Sequence, residues 1–392
     1  MVKNIKYLII CLCISFKAYS QDVSYSQFDL NTMYTNPAFC SFEEDNRVLS
    51  IYRNQWNGLS ENFNSNYLEF GVSISDLKKR RISSGELSAS AGVFLIQDVY
   101  NTVFNSYEIG IVPMTIHSQL SRNLFLSSGI SNTIRINSLD WNNLIFTDQI
   151  NDFNSQIIPS NVQLPNNYNQ TTWLDPSIGI ILTRHSKPQN QSFNTSFIGA
   201  SWHHFVPPIK SFYNNQNDIS RIPKKLIIHA QYLSQFRVLP RSSFKFWKIS
   251  YKHTQQGSNA IAKDDFGLST TLQKGLQLEV GCFYRIARQN YIGNDRINLM
   301  SESIIPIFRI RTPIGRQLGM EISYSYDFNL SKLNNYNTVS TNEISINIYH
   351  FKKKKSNICP FQGDEQKNRK WDDIMMNSNG YQTKNKKRRS IW

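Results

Sequence analysis

The chain has 392 residues, 40% of them hydrophobic, 13% aromatic and 18% charged, with a formal net charge of +15. Mean hydropathy is negative, and past the first twenty residues no apolar run approaches the ~18 residues of a helical span, so transmembrane helices are excluded. A membrane β-barrel is not excluded, because only alternate residues of its strands need be apolar.

In chain order, Lys3 and Lys6 come first and an apolar run from Tyr7 to Phe16 follows. Ala18-Tyr19-Ser20 then places small residues at the first and third positions before Gln21, the pattern of a cleaved secretory signal. The run is too short to anchor the chain in a bilayer. Acylation at Cys11 or Cys13 would leave too little apolar chain ahead of the cysteine, which argues against a lipoprotein. The remaining cysteines, Cys40, Cys282 and Cys359, are odd in number with no CxxC spacing, so at most one bridge rather than a disulfide framework is expected, and no zinc site is readable.

Beyond this leader, several segments alternate with period two. Leu68, Phe70, Val72 and Ile74 oppose Tyr67, Glu69, Gly71 and Ser73. In 122–136, Leu124, Leu126, Ile130, Ile134 and Ile136 share one side. In 276–286, Leu276, Leu278, Val280 and Tyr284 do so, and in 317–328 so do Leu318, Met320, Ile322, Tyr324, Tyr326 and Phe328. A secreted β-sandwich alternates for the same reason, but its strands peak near ~5–6 residues, whereas a tilted membrane strand needs about 9–11. The length of these segments favours the barrel.

Fourteen strands are expected, near 47–53, 66–76, 87–97, 104–117, 122–137, 174–184, 194–204, 224–237, 243–254, 260–271, 276–286, 302–311, 317–328 and 341–351. An even count puts both barrel ends on the periplasmic side. The longest connections, 138–173, 205–223, 287–301 and 329–340, then face outward, and 138–173 becomes the contact surface for a secreted partner. Connections 77–86 and 185–193 are longer than periplasmic turns usually are. A last strand ordinarily ends in a lipid-facing aromatic, yet Phe351 shares a face with Ser345 and Asn347, opposite Ile344, Ile346 and Ile348. The expected organisation is a signal peptide at 1–20, an N-terminal periplasmic segment at 21–46, an all-β transmembrane antiparallel barrel at 47–351 and a basic periplasmic tail at 352–392.

That tail holds twelve Lys or Arg against four Asp or Glu, +8 of the chain's +15. Lys352 to Lys355 follow the last strand, where they suit lipid head groups of the outer membrane. Trp371, Lys384, Lys386, Lys387, Arg388, Arg389 and Trp392 are candidate contacts for a periplasmic partner, the alternative being a disordered solubilising tail. Such a basic run suggests nucleic acid or nuclear import in other chains, and export argues against both here.

No catalytic or cofactor motif stands out: HExxH, GxSxG and the P-loop are missing. His203-His204 suits a girdle or loop edge better than a metal, since adjacent strand residues point to opposite faces. Arg135, Glu279, Arg285, Glu321 and Asp327 lie on the polar sides of their strands. They could line a charged lumen, or close it by pairing with one another, which is the preferred reading.

Several motifs carry a family resemblance: Tyr25-Ser26-Gln27-Phe28, Asn36-Pro37-Ala38-Phe39 and Tyr52-Arg53-Asn54-Gln55-Trp56-Asn57-Gly58. Asp175-Pro176-Ser177-Ile178-Gly179, FIGASWHHFVPP from Phe197 to Pro208 and Gly275 to Arg285 come next. ISYSYDFNLSKL from Ile322 to Leu333, Asn342-Glu343-Ile344-Ser345 and Cys359-Pro360-Phe361 complete the series. In this order the chain resembles the PorP/SprF-type outer-membrane proteins of the Bacteroidetes type IX secretion and gliding apparatus. It departs at Phe39-Cys40, where a small Ala-Gly pair is usual, and in its longer, more basic tail. The resemblance implies a barrel of this size, and the strand count is read with that in view. It also implies a non-enzymatic role without cofactors, joining the outer membrane to periplasmic ring and motor proteins or to a secreted surface adhesin. A passive porin and a soluble secreted β-rich binding protein are the alternatives.

Overall fold

The computed structural model describes residues 22–42, 46–56, 63–76, 87–101, 103–121, 123–149, 159–162, 170–186, 194–209, 221–235, 244–257, 261–274, 276–290, 297–314, 318–330 and 341–350. The signal peptide, Asn154 and the tail with all seven of its candidate partner contacts lie outside these. The strands are β1 Asn46–Gln55, β2 Phe63–Asp76, β3 Leu87–Tyr100, β4 Phe104–Ser121, β5 Leu124–Leu139, β6 Gln170–Ser186 and β7 Asn194–His203. They continue with β8 Lys225–Gln235, β9 Phe244–Gln256, β10 Ile261–Lys274, β11 Leu276–Asn290, β12 Ile297–Pro313, β13 Leu318–Asn329 and β14 Thr341–His350.

Each strand pairs antiparallel with its sequence neighbours, and β1 pairs with β14 from Asn46↔His350 to Gln55↔Thr341, closing a fourteen-stranded barrel. Closure leaves no edge strand with unpaired backbone groups, the condition for crossing hydrocarbon in extended form. The strands run from 10 residues in β1 to 18 in β4, long enough to cross at a tilt. The sandwich alternative is thereby overturned.

The period-two pattern now acquires an inside and an outside. In β1, Val48 and Tyr52 are exposed outward while Arg47, Leu49, Ile51 and Arg53 are buried inward. The outer wall is an apolar belt that includes Leu68, Phe70, Ile130, Ile178, Leu268, Phe308, Ile322 and Ile346. Let the proximal rim be the one where β1 begins and β14 ends. Toward the distal rim the belt gives way to tyrosines and amides bonded across strands. Tyr52 and Asn54 donate to Asn64 (3.1 and 2.7 Å), Gln97 to Tyr107 (3.2 Å) and Tyr324 to Asn342 (2.6 Å). Amphipathic side chains at that height suit a membrane–water boundary. Pro306 lacks an N–H, and the β12–β13 ladder breaks there, between Ile304↔Phe328 and Ile307↔Ser325. In β14, Ser345 and Asn347 face inward and Ile344, Ile346 and Ile348 outward; Phe351 lies outside the described residues.

The N-terminal segment departs from expectation. Its described part, 22–42, does not form a separate periplasmic piece but fills the barrel interior. Asp22 sits at the distal mouth beside the last residue of β9, Gln256, whose side chain accepts its N–H (3.3 Å), and the first of β8, Lys225. From there the segment works down to Phe42, shortly before β1 opens the proximal rim. A short helix, Thr32–Thr35, and a 3-10 turn, Pro37–Phe39, give it compactness. The reason lies in the inner wall: Leu49, Ile51, Val112, Ile181, Ile305 and Ile307 point inward and would face water without a cover. Burying each such side chain contributes about 1.5–3 kcal/mol.

Candidate functional site: the plugged lumen

Three apolar clusters seat the plug. Tyr25, Leu30, Met33 and Tyr34 pack on Leu49, Ile51, Tyr67, Phe94, Ile96 and Val112. Phe28 packs on Phe283, Ile305 and Ile307, with ring centroids 4.9 Å apart for the two phenylalanines. Ala38, Phe39 and Phe42 pack on Ile181, with Phe197 alongside.

Asn36 holds the central turn. Its Oδ1 accepts the Ala38 N–H (2.9 Å), while its Nδ2 lies within hydrogen-bond distance of the Ala200 carbonyl (3.1 Å) and His229 Nε2 (2.9 Å). One side chain thus caps the turn and ties it to β7 and β8. The turn comes so close to the wall that a Cβ on Gly179 would meet Asn36 Oδ1 at 1.9 Å, and one on Gly129 would meet the Pro37 carbonyl oxygen at 2.6 Å. Only glycine leaves room at these two positions.

Two carboxylates pin the plug, one at its first residue and one in the proximal half of the lumen. At the distal mouth, Asp22 takes Arg135 (2.9 Å), His204 (2.8 Å) and Lys225 (3.0 Å). Burial works against its charge, but these cations together hold the Asp22 carboxyl well below the usual carboxylate range. In the proximal half, Asp29 receives Arg309 (2.5 and 2.7 Å) and Lys248 (2.8 Å). Burial again opposes the charge, and Arg309 and Lys248 depress the Asp29 carboxyl strongly. Between the pins, Glu343 accepts the Ser26 and Gln27 N–H groups (2.8 and 3.0 Å), and Arg285 donates to the Tyr25 carbonyl (3.1 Å). Arg47 reaches the Leu30 carbonyl and Arg53 the Ser24 carbonyl. Thr115 donates to the Pro37 carbonyl (2.8 Å) and Ser90 to that of Cys40 (2.6 Å). Burial raises the Cys40 thiol to about 12, so it stays protonated and inert.

The five charges singled out in the sequence all face the lumen and are buried there. Arg135 also pairs with Glu108 (3.2 Å), Glu279 with Lys248 (2.5 Å), and Arg285 with Asp265 (2.6 Å) and Asp327 (3.8 Å). Glu321 pairs with Arg311. The sequence reading missed the plug carboxylates Asp22, which pairs with Arg135, and Asp29, which pairs with Arg309 and Lys248, because a segment without strand periodicity gives no sign of lying inside.

His203 and His204 depart from the expected girdle. His203 faces inward near the Thr35 carbonyl (3.2 Å). His204, just past the strand, takes a left-handed backbone (φ 53°) that turns its ring inward too, between Asp22 (2.8 Å) and Asp175 (2.7 Å). Burial disfavours its charge, yet the two carboxylates raise the imidazole above its ordinary value. Among the described residues no cluster has the makings of a metal site.

A closed antiparallel barrel with an apolar outer belt and an interior packed with its own chain is an integral outer-membrane barrel protein. The particular family follows from the sequence: residues 17–348 match the type IX secretion system membrane protein PorP/SprF family, and the chain belongs to it. The YSQF and NPAF motifs of the resemblance are parts of the plug. No curated protein matches the chain. Among solved structures it is similar to a Pseudomonas aeruginosa FadL homologue (11% identity, TM-score 0.43, 82% of this chain and 94% of that one). It is also similar to the CymD monoaromatic hydrocarbon channel (10%, 0.39, 83% and 93%). The translocator domain of autotransporter NalP from Neisseria meningitidis is a third (9%, 0.34, 82% and 95%). At such identities and scores the likeness goes no further than a shared barrel.

Proposed function

We propose that this type IX secretion barrel works as a closed, non-enzymatic scaffold rather than a diffusion pore, tying periplasmic ring and motor proteins, or a secreted surface adhesin, to the outer membrane. The observation that carries the closed reading is the plug, whose apolar clusters and ion pairs with the wall run from Asp22 to Phe42 inside the lumen. The linking role draws on the family and on the basic tail 352–392. By strand parity the proximal rim and tail face the periplasm, and the distal mouth with Asp22 faces outward. Gliding motility belongs to the same family reading.

The test is an affinity pull-down from gently solubilised outer membranes, comparing the full chain with one ending at Ser356. Recovery of ring or motor proteins, lost on truncation, supports a machine component docked through its tail. Recovery of one large surface protein from both chains supports an adhesin anchor, and recovery of neither contradicts the linking role. Sidedness is read separately: a cysteine placed at Asn154 should label on intact cells, and labelling only after lysis would invert the topology.

A further inference from the structure

We propose that the distal end of β6 is an open sheet edge that takes up an extended, acidic segment of a secreted protein as an added strand. β6 pairs with β5 as far as Ser138↔Gln170, but its ladder with β7 stops at Ile178↔Trp202. Two features end that ladder. Pro176 has no N–H to give, and His204, the residue that the register would bring opposite it, leaves the strand path through its left-handed backbone. The segment that follows, 205–209, bridges to Arg221 through Ile209 and makes no backbone hydrogen bond to β6 among the described residues.

The direction of the unused groups follows from the ladder. His185 donates its N–H to the Asn123 carbonyl on the β5 side (2.8 Å), and no register shift interrupts β6. Odd-numbered residues of β6 therefore bond β5, and even-numbered ones bond the other neighbour. Gln170, Thr172 and Leu174 thus aim both N–H and C=O away from β5, with no strand to receive them. Native edges are usually blunted by charge, proline or a bulge, yet these three outward side chains are uncharged and exposed. Leu174 lies four residues past Ile178, the partner of Trp202, which is about 10 Å beyond that ring for a tilted strand. The edge accordingly stands at the distal membrane boundary, where water and other proteins reach it.

A row of donors and acceptors recurring at every second residue is matched by a polypeptide backbone, which selects an extended peptide over a lipid or a small solute. Leu174, Phe205 and Val206, 66%, 40% and 58% exposed, offer apolar contacts along it. Lys224 stands over the Trp202 ring (5.3 Å) and Arg221 is exposed nearby, while Asp175 turns inward to Arg135 and His204. The strand that fits is apolar at alternate positions and carries a carboxylate toward these cations. The inference deepens the surface-adhesin arm of the proposed function and rests on it only for the side of the membrane that the edge faces.

The test uses the full mature chain in detergent, where sidedness plays no part, and a fluorescent peptide of about ten residues that alternates valine with threonine and glutamate. Binding should saturate. The same peptide with two successive central amides N-methylated, which blocks both of its edges, should bind about tenfold more weakly. Leu174→Pro and Thr172→Pro each take a donor from the open edge and none from the β5 ladder, and each should weaken binding by a similar factor. Lys224→Glu should disfavour the glutamate peptide relative to its lysine counterpart. Equal binding of the plain and N-methylated peptides, proline variants that bind like the native chain, or an edge occupied by a second copy in a dimer would each overturn the proposal. If a variant fails to fold, judged by heat-modifiable migration, the N-methyl comparison on the native chain decides. Cysteine labelling at Asn154 reads sidedness alone: label only after lysis would remove the secreted partner while leaving edge binding in detergent intact.

Discussion

The outer and inner walls of this barrel are written on the same strands, yet they obey different rules. The outer wall needs only to be apolar at the right height, so Ile, Leu, Val and Phe serve almost interchangeably from Leu68 to Ile346. The inner wall is specific: Glu343 meets two plug N–H groups, Gly179 clears space for Asn36, and Arg309 grips Asp29 with two nitrogens. Lipid is a tolerant solvent, whereas a packed plug is a single partner with fixed geometry. Substitutions on the two walls should therefore differ in cost by several-fold.

The largest effect is expected at the proximal pin. Arg309→Met leaves Asp29 and Glu279 facing Lys248 with one cation fewer, and loss of a buried partner typically costs about 3–5 kcal/mol. Its unfolding midpoint in detergent should fall steeply, and near-native stability would show that the inner wall is as tolerant as the outer. Next comes Gly179→Ala, whose Cβ collides with Asn36; overpacking of this kind costs about 1–3 kcal/mol, and limited proteolysis should then cut within 22–42. Resistance equal to the native chain would mean that the turn does not sit against β6.

A smaller effect should follow pH. The His204 imidazole, faced by Asp22, Asp175, Arg135 and its neighbour His203, is raised above its ordinary value of 6.5. Its contribution to folding is therefore complete below pH 6.5 and is lost as pH rises through the raised value. Asp22 and Asp29 are depressed from 3.8, so their contributions are complete above 3.8 and fade only as pH falls through the lowered values. Between these limits the contributions of these three groups stay constant, and on the alkaline side His204→Gln should flatten the decline of the unfolding midpoint. An unchanged slope in the variant would assign it to other groups. Smallest of all is an outer-wall exchange such as Ile346→Leu, expected within ~0.5 kcal/mol of native. A loss comparable to Arg309→Met would erase the distinction between the walls.

The same contrast explains what could be read in advance. The strands were legible because lipid imposes one simple period, and segments such as Leu318 to Phe328 announce it directly; strand ends moved by a few residues, as at 302–311 against Ile297–Pro313. The plug was not legible as a plug, because its residues answer to partners hundreds of positions away, as Ser26 does to Glu343. A faint signal existed. Ile304 and Ile305 are both apolar although they face opposite ways, and so are Ile111 and Val112, Leu49 standing likewise on the inner side next to Val48. A lumen that filled with water would not carry apolar residues on its inner face, so such doubled positions mark a covered wall. His204 escaped reading because a left-handed backbone reverses the direction that strand alternation assigns to it.

The most direct measurement is planar-bilayer conductance of the native chain beside a variant lacking residues 22–42, both first shown to be folded barrels by heat-modifiable migration. The account predicts a native chain that inserts without stepwise conductance and a plugless variant that opens discrete steps. Steps from the native chain, or silence from an inserted plugless barrel, would contradict the claim that this segment closes the lumen.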